Sequence, residues 1–218
     1  HIGSQLTELE PIYEAAVIVA DLMRSLQAID IELKFFDIGG GLGVRYADET
    51  TIQPYDYAQA VLGALKGMDV TVICEPGRFL TANAGYFLTK VLYEKNNGAK
   101  RFVVVDGAMN DLIRPSLYKA YHRIEAMEKS GEESIADVVG PVCESGDFLA
   151  KNYPLPMLDH NDLLVVHSAG AYGFGMGSNY NTRGRSAEVA VEAGKERLIR
   201  RRETFEDVIA CERDYLEE

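Results

Sequence analysis

A cysteine and a glutamate stand side by side within a turn-rich octet, Gly-Pro-Val-Cys-Glu-Ser-Gly-Asp, at residues 140–147. A thiol such as Cys143 can move a proton, and a carboxylate such as Glu144 can hold a cationic group of a substrate. The glycines and the proline around them favour tight backbone turns. Taken alone, the octet favours the simpler interpretation of a partly buried cysteine at a strand end. Its meaning therefore depends on the other polar motifs of the chain.

A glycine run, Gly39-Gly40-Gly41-Leu42-Gly43, directly follows the short apolar segment 34–38. Without side chains, its backbone can approach a ligand closely, and successive N–H groups can bind an anion such as a phosphate. Val44 stands where the dinucleotide-binding fingerprint would place its third glycine, so that fingerprint is absent. On its own, the run fits a simple tight turn at least as well.

A second motif, Glu75-Pro76-Gly77-Arg78, follows the apolar segment 70–74. Proline and glycine stiffen the turn, and the acid and the base then project from neighbouring positions. A surface ion pair is the plain alternative, and such pairs contribute little to stability. The position after a strand favours a functional site, because folds built from strand–helix units place their sites there.

Three further motifs carry polar groups suited to ligands. In Arg114-Pro115-Ser116-Leu117-Tyr118, Arg114 offers a fork that fits a carboxylate, and Tyr118 offers a hydroxyl. Tyr172 lies among small residues in Ala169-Gly170-Ala171-Tyr172-Gly173 and is sterically able to present its hydroxyl. His1 could stack on a planar ring, and Ser4 could bind a phosphate. An exposed loop arginine and a packing tyrosine remain the plain alternatives.

The elements that must position these groups change in character near residue 84. Before it, helical periodicity at residues 8–29 and 54–65 alternates with strands at 34–38 and 70–74, which indicates parallel strand–helix units. After it, short strands are predicted at residues 86–93, 101–105, 136–142, 163–168 and 188–191, with a closing helix at 203–216. Residues 117–129 fit either a helical turn or irregular structure. The chain is therefore predicted to be α/β plus β, with residues 1–84 and 85–218 as separate domains.

Composition and charge exclude several classes of function. The chain has 218 residues and a net charge of −12, which argues against nucleic acid or an anionic membrane as the main partner. No apolar run reaches the length of a membrane span, and no signal-peptide pattern opens the sequence. The three cysteines, Cys74, Cys143 and Cys211, lack metal-ligand spacing, so no metal is predicted, and a reducing cytoplasm is the simplest location.

Taken in order, the motifs resemble the diaminopimelate decarboxylase family. The matching segments span residues 1 to about 190 and read His-Ile-Gly-Ser-Gln, Gly-Gly-Gly-Leu-Gly, Glu-Pro-Gly-Arg, Arg-Pro-Ser-Leu-Tyr, Gly-Pro-Val-Cys-Glu-Ser-Gly-Asp and Ala-Gly-Ala-Tyr-Gly. Each is weak alone, but six in one order are specific. The resemblance implies the last strands and helices of a (β/α)8 barrel that binds pyridoxal 5′-phosphate, followed by a mostly antiparallel β domain. It also implies decarboxylation of meso-2,6-diaminopimelate to L-lysine.

The resemblance assigns roles to residues of this chain. His1 would stack on the cofactor ring, Glu75 would pair with the ring nitrogen, and Cys143 would be the catalytic acid that returns a proton to the substrate carbon. Cofactor-binding roles are implied for His1, Ser4, Gly39, Gly40, Gly41, Glu75, Pro76, Gly77, Arg78 and Tyr172. Substrate-binding roles are implied for Arg78, Arg114, Tyr118, Glu144 and Tyr172. Cys143 and Glu144 are expected to enter the site of a neighbouring subunit, which implies a homodimer.

One family feature is missing from the chain. The family holds its cofactor as a Schiff base on a lysine in a Tyr-Ala-Leu-Lys-Ala-Asn-like stretch, and none of the lysines between Lys34 and Lys195 has such a context. About three of the eight strands of a barrel are visible, so the chain is expected to be the C-terminal part of a longer protein, inactive alone. Residues 1–84 are expected not to fold stably by themselves. Related decarboxylases of ornithine, arginine or carboxynorspermidine, and an inert binding module, are the alternatives.

Overall fold

The structure is a computed structural model that describes residues 1–215. The chain divides into two compact units, His1–Ala84 and Gly85–Glu218. The first unit contains three helices and two strands, which are α1 (Glu10–Gln27), β1 (Phe35–Asp37), α2 (Pro54–Ala64), β2 (Thr71–Ile73) and α3 (Gly77–Thr81). A single 3-10 turn, Ala82–Ala84, ends this unit.

The two long helices of the first unit bury one face each. In α1 the buried residues Ile12, Ala16, Ala20 and Met23 recur every three or four positions. Each of the two helices has a proline in its first turn, where the backbone N–H that proline lacks would have no partner within the helix. With Phe36 of β1, these faces form one apolar core. The helices form where helical periodicity predicted them. Helix α1 begins two residues after the start of the predicted segment 8–29 and ends two residues before its end, and α2 ends one residue before the predicted end at 65.

Strands β1 and β2 pair in parallel, with Phe36 opposite Val72. The predicted parallel arrangement is therefore confirmed for these two strands. All three residues of β2 are exposed, and so is Phe35 of β1. A two-stranded sheet with exposed apolar side chains buries too little surface to be stable by itself.

The second unit is built mainly of strands. Its strands are β3 (Phe87–Asn96), β4 (Arg101–Val105), β5 (Ile124–Ala126), β6 (Ser134–Val139), β7 (Phe148–Leu155), β8 (Leu163–Val166), β9 (Glu188–Glu192) and β10 (Lys195–Arg200). Its helices are α4 (Arg114–Tyr118) and α5 (Phe205–Val208).

Six strands of this unit form one mixed sheet in the order β5-β8-β3-β4-β6-β7. Every pair is antiparallel except β4 with β6, so the predicted, mostly antiparallel character is confirmed. Side chains from all six strands meet in one core, which includes Val91, Val103, Val138, Leu149 and Leu164. Strands β9 and β10 form a separate antiparallel hairpin.

Arg101 is a charged residue inside this core, with only 8% of its surface exposed. Its guanidinium donates to both carboxylate oxygens of Glu94. It also donates to the backbone oxygens of Ser134 (3.1 Å), Leu155 (2.9 Å) and Pro156 (2.5 Å). Glu94 in turn accepts from the N–H of Leu158 at 2.8 Å. The pair thus ties β3 and β4 to both the start of β6 and the end of β7.

Asp137 of β6 should make part of the free energy of unfolding depend on pH. Burial tends to raise the pKa of this carboxyl, but the ammonium of Lys100 (2.7 Å) and the N–H of Asn152 (2.7 Å) outweigh it, and the pKa lies below the usual 3.8. A carboxyl whose pKa is lower in the folded than in the unfolded protein stabilises the fold at pH values above the unfolded-state pKa. This contribution is lost as the pH falls through the folded-state pKa. Asp137→Asn should lower the free energy of unfolding by about 2 kcal/mol at pH 7.

Urea unfolding of the wild type and of Asp137→Asn, from pH 7 down to pH 3, measures this contribution. The difference between the two proteins should shrink below about pH 4, where the unfolded carboxyl becomes protonated. A difference that stays constant over the whole range would contradict the assignment.

The C-terminal segment differs from its prediction. The expected helix at 203–216 is reduced to α5, which a Thr204–Asp207 capping box begins, and a 3-10 turn at Arg213–Tyr215. Residues 209–212, between them, form turns, and residue 216 lies outside the described residues. Within residues 1–215, no helix combines the length and the apolar character that a membrane span requires.

Candidate active site

The parallel pairing of β1 and β2 places the glycine run beside the Glu-Pro-Gly-Arg motif. The pairing continues past the strands, with Ile38 N–H donating to Ile73 O (3.1 Å) and Glu75 N–H donating to Gly39 O (2.8 Å). A Cβ on Gly40 would lie 2.5 Å from the backbone oxygen of Glu75, so only glycine fits there. Two motifs that are more than 30 residues apart in the sequence are thus held together by backbone contacts.

The first residues of the chain are fastened to the same glycine run. Leu6 bridges Leu42 in parallel, donates to Gly41 O (2.8 Å) and accepts from Gly43 N–H (2.9 Å). The side-chain amide of Gln5 donates to Val44 O (2.5 Å) and accepts from Val44 N–H (3.1 Å). Gln5 therefore clamps the segment that contains His1 and Ser4 to the end of the glycine run.

One of the glycine N–H groups is already used within the chain. The N–H of Gly39 donates to Oδ1 of Asp37 at 2.8 Å, and Gly39 has a positive φ of 75° that suits glycine. The anion-binding prediction for this run therefore falls on the N–H groups of Gly40 and Gly41. Asp37 was missed in the sequence, although an aspartate two residues before a glycine is typical of a side-chain-capped turn.

Arg78 lies at the start of α3 and connects three segments. It donates to the hydroxyls of Ser4 (2.7 Å) and Tyr46 (2.9 Å). Gly77 N–H donates to Glu75 O (2.8 Å), so Pro76 and Gly77 form a tight turn between the acid and the base. A serine hydroxyl that accepts from an arginine can still donate its own hydrogen to an anion. Tyr46 was not predicted, and nothing in the local sequence marks it.

A cavity of about 410 Å³ lies within the first unit, next to these loops. Four of the predicted cofactor residues line it, namely His1, Gly39, Gly40 and Glu75. Its volume is within the range of about 300 to 1,000 Å³ that is typical of small-molecule sites. An aromatic ring, a glycine turn and a carboxylate from three distant segments therefore converge on one space.

Tyr57 and Asp37 also line this cavity. Burial, together with the nearby groups of Cys74 and Asp37, raises the pKa of Tyr57 to about 12. The hydroxyl consequently stays protonated at neutral pH and can act as a hydrogen-bond donor. Tyr57 was not predicted as a site residue and falls only within the predicted helix at residues 54–65.

In the second unit, the octet forms the connection between β6 and β7, and β6 ends at Val139, three residues before the predicted strand end. Cys143 and Glu144 are both exposed at its tip. A Cβ on Gly146 would lie 2.6 Å from Oγ of Ser116, so the octet packs closely on α4. The structure thus brings the thiol-containing octet and the Arg-Pro-Ser-Leu-Tyr motif together.

Arg114 is buried, with 6% of its surface exposed, so the alternative of an exposed loop arginine is wrong. Its guanidinium donates to Nε2 of the buried His122 (2.8 Å), and Nδ1 of His122 bonds to His167 O (2.9 Å). Arginine only donates and a carbonyl only accepts, so His122 carries its hydrogen on Nδ1. His122 was not predicted as part of the site, and Tyr118 of the same motif is exposed.

Tyr172 has a positive φ of 60°, which is unfavourable for a tyrosine. Its side chain is 45% exposed, and its loop is held by Ala169 N–H donating to Gly85 O (2.8 Å). Strained backbone that the surrounding contacts maintain is typical of ligand-binding loops. Over the part of the chain that the structure describes, no cluster of side chains has the composition of a metal site.

Comparison with known protein families gives one matching model over residues 16–170. Its description is "Pyridoxal-dependent decarboxylase, C-terminal sheet domain". The match covers most of the chain and includes both the glycine run and the octet. It also includes Arg114 and its neighbours.

Individual relatives are also decarboxylases of this kind. The chain is 59% identical to the diaminopimelate decarboxylase of Campylobacter jejuni over 99% of its length, and 49% identical to that of Pseudomonas aeruginosa over 97%. It also resembles the crystal structure of diaminopimelate decarboxylase from Helicobacter pylori complexed with L-lysine, with a TM-score of 0.94, 52% identity and 99% of the chain covered. The chain spans about half the length of these relatives, namely 54%, 51% and 54% respectively.

Proposed function

This chain belongs to the pyridoxal-dependent decarboxylase family, and we propose that the protein containing it converts meso-2,6-diaminopimelate to L-lysine and CO2. The observation that carries the proposal is the convergence of His1, Gly39, Gly40 and Glu75 on one cavity of the first unit. We choose this substrate because the relatives that are 59% and 49% identical to the chain are diaminopimelate decarboxylases.

The residues around the cavity fit pyridoxal 5′-phosphate, the cofactor of this family. When bound, the cofactor supplies a ring that accepts the electron pair left behind as CO2 departs. Glu75 would keep the ring nitrogen protonated, and His1 would pack on the ring face. The N–H groups of Gly40 and Gly41, with the hydroxyl of Ser4, supply donors of the kind that a phosphate requires, and Arg78 holds that hydroxyl at 2.7 Å.

The clamp formed by Gln5 gives a prediction about cofactor affinity. In Gln5→Glu the carboxylate cannot donate to Val44 O and instead repels it, so the segment with His1 and Ser4 should shift from the glycine run. We expect the affinity of the intact protein for pyridoxal phosphate to fall about 10-fold, which corresponds to ~1.4 kcal/mol. Titration of the apoprotein followed by cofactor absorbance measures the change.

Gln53→Glu is the matched control, because Gln53 is exposed immediately before α2 and its side chain caps nothing there. Its cofactor affinity should equal that of the wild type. Equal affinities for Gln5→Glu and the wild type would show that the clamp does not support the cofactor site.

The second unit would supply the groups that contact the substrate. Arg114 and Tyr118 suit a substrate carboxylate, Glu144 suits the distal ammonium, and Tyr172 would contact both substrate and cofactor. Cys143 would deliver a proton to the carbon from which the carboxylate has left. The exposure of Cys143 and Glu144 supports a role for them outside the core of their own unit.

We also propose the architecture of the intact protein. The unit His1–Ala84 would be the last part of a (β/α)8 barrel. The exposed side chains of β2 and of Phe35 support this, because the rest of a barrel would bury them. The β unit that follows would place Cys143 and Glu144 in the site of a partner subunit, so the protein would be a cytoplasmic homodimer. The lysine that anchors the cofactor would lie outside this chain, whose 218 residues alone would be inactive.

Release of CO2 by the intact protein, saturated with pyridoxal phosphate, tests the proposed substrate. The value of kcat/KM for meso-2,6-diaminopimelate should exceed those for ornithine, arginine and carboxynorspermidine at least about 100-fold, because unpaired polar groups would remain with the wrong substrate. Faster turnover of ornithine would assign the protein to the related decarboxylases. Absence of turnover with all four compounds would favour an inert binding module.

A further inference from the structure

Asp147, the last residue of the octet, has a buried carboxylate that joins two loops. Only 5% of its surface is exposed. Its Oδ2 accepts from Val142 N–H at 2.6 Å, and its Oδ1 accepts from Met109 N–H at 2.7 Å. Val142 immediately precedes Cys143, and Met109 lies in the loop between β4 and α4. Asp147 therefore fixes the Pro141–Val142 peptide, one residue before the thiol, against the loop that leads to Arg114.

The surrounding backbone leaves a space that this carboxylate fills. A Cβ on Gly140 would lie 2.5 and 2.7 Å from the two oxygens of Asp147, so a side chain at position 140 would displace it. Gly140 N–H donates to Asp147 O (3.2 Å), and Asp147 N–H donates to Glu144 O (3.0 Å). The octet is thus folded around Asp147, with Cys143 and Glu144 at the outer side of the turn.

The two donors face different oxygens, which explains why a carboxylate is needed. An asparagine has one oxygen and one NH2 group, so it must point hydrogens at either Val142 N–H or Met109 N–H. Burial raises the pKa of Asp147, while these N–H groups and the charge of Arg183 oppose the rise. A carboxylate is costly to bury unless it is hydrogen-bonded, and here each oxygen of Asp147 accepts one backbone N–H.

We propose that Asp147 is a positioning residue for Cys143, setting the direction of the thiol by fixing the Val142 peptide. The proposal rests on the proposed function for its effect on turnover, and on geometry alone for its effect on the thiol. A displacement of about 1 Å at a reacting group can lower a rate about 100-fold. Asp147 itself touches neither substrate nor cofactor in this account.

The experiment uses the intact holoenzyme in which Cys74 and Cys211 are replaced by serine. Asp147→Asn is compared with Asp137→Asn, a matched control whose aspartate is equally buried (6%) and also accepts a backbone N–H, from Asn152. Two quantities are measured per folded holoenzyme: kcat for CO2 release, and the rate at which iodoacetamide alkylates Cys143. If Asp147→Asn does not fold, Asp147→Ser is used instead. The serine hydroxyl can accept a good hydrogen bond from only one of the two N–H groups, Val142 or Met109.

The proposal predicts that Asp147→Asn lowers kcat about 10- to 100-fold with little change in KM, and changes the alkylation rate at least about 5-fold. Asp137→Asn should match the parent protein in both, although it is less stable. Alkylation of Cys143 at the parental rate in Asp147→Asn would overturn the proposal. If alkylation changes while kcat does not, positioning by Asp147 stands and the proton-donor role of Cys143 fails, which separates this inference from the proposed function.

Discussion

Replacing Cys143 by alanine in the intact holoenzyme should lower kcat by about 100- to 10,000-fold, the range that is typical for removal of a general acid. The thiol is exposed at the tip of the octet, so its loss should leave the core of the second unit intact. Cofactor absorbance should therefore persist while CO2 release nearly stops. Steady-state kinetics and the absorbance of bound pyridoxal phosphate measure the two effects on one sample.

Cys211→Ala is the control for this substitution, because Cys211 is also exposed but lies in the C-terminal turns, outside the proposed site. Its kcat should equal that of the wild type. Unchanged turnover in Cys143→Ala would remove Cys143 from the proton-donor role. Loss of cofactor absorbance together with turnover would instead show that Cys143 supports cofactor binding.

Arg101→Met should produce the largest loss of stability, about 3 to 5 kcal/mol, in the second unit. Methionine fills much of the same volume, but it leaves the carboxylate of Glu94 and the backbone oxygens of Leu155 and Pro156 without the guanidinium. A buried charge that has lost its partner is strongly unfavourable. Denaturant unfolding followed by circular dichroism should show the midpoint moving to much lower urea.

Arg197→Met is a suitable comparison, because Arg197 is exposed on β10 opposite Ala190 and its loss should change stability by less than about 0.5 kcal/mol. A double substitution, Arg101→Met with Glu94→Leu, should recover part of the loss, since it removes both charges from the core. Equal stability of Arg101→Met and Arg197→Met would mean that the buried ion pair does not hold the sheet together.

Several features followed from local sequence because local interactions determine them. The alternation of helical and strand periodicity predicted the parallel pair β1–β2, and the apolar segment 101–105 forms β4 with the same bounds. The glycine run and the Glu-Pro-Gly-Arg motif both follow strands that pair in parallel. Because parallel strands end at one edge, the two motifs meet there, as strand–helix units require.

Other features depended on contacts that no local pattern reveals. Strand β7 was missed, since Lys151, Asn152 and Pro154 interrupt its apolar residues, and Asn152 has a positive φ of 52°. Edge strands with register shifts tolerate such residues. Arg101 was not singled out as a core residue, because a charged residue is usually exposed and its carbonyl partners are 33 to 55 residues away.

The candidate site shows the same division. Motif order and residue type led to the proposals for His1, Glu75 and Cys143, whereas Asp147 and His122 are distinguished only by their contacts with other loops. The N–H of Val142 and the carboxylate of Asp147 are only five residues apart, but the second contact, to Met109, spans 38 residues. Such a side chain is recognised only when both loops are in place.

Release of CO2 from meso-2,6-diaminopimelate, compared between the intact protein and residues 1–218 alone, tests the central claim most directly. Both samples contain saturating pyridoxal phosphate and equal molar amounts of this chain. We expect turnover by the intact protein and none above background by residues 1–218, because the proposed cofactor contacts and proton donor lie in this chain and the proposed anchoring lysine does not. Comparable turnover by the two samples, or no turnover by the intact protein, would contradict it.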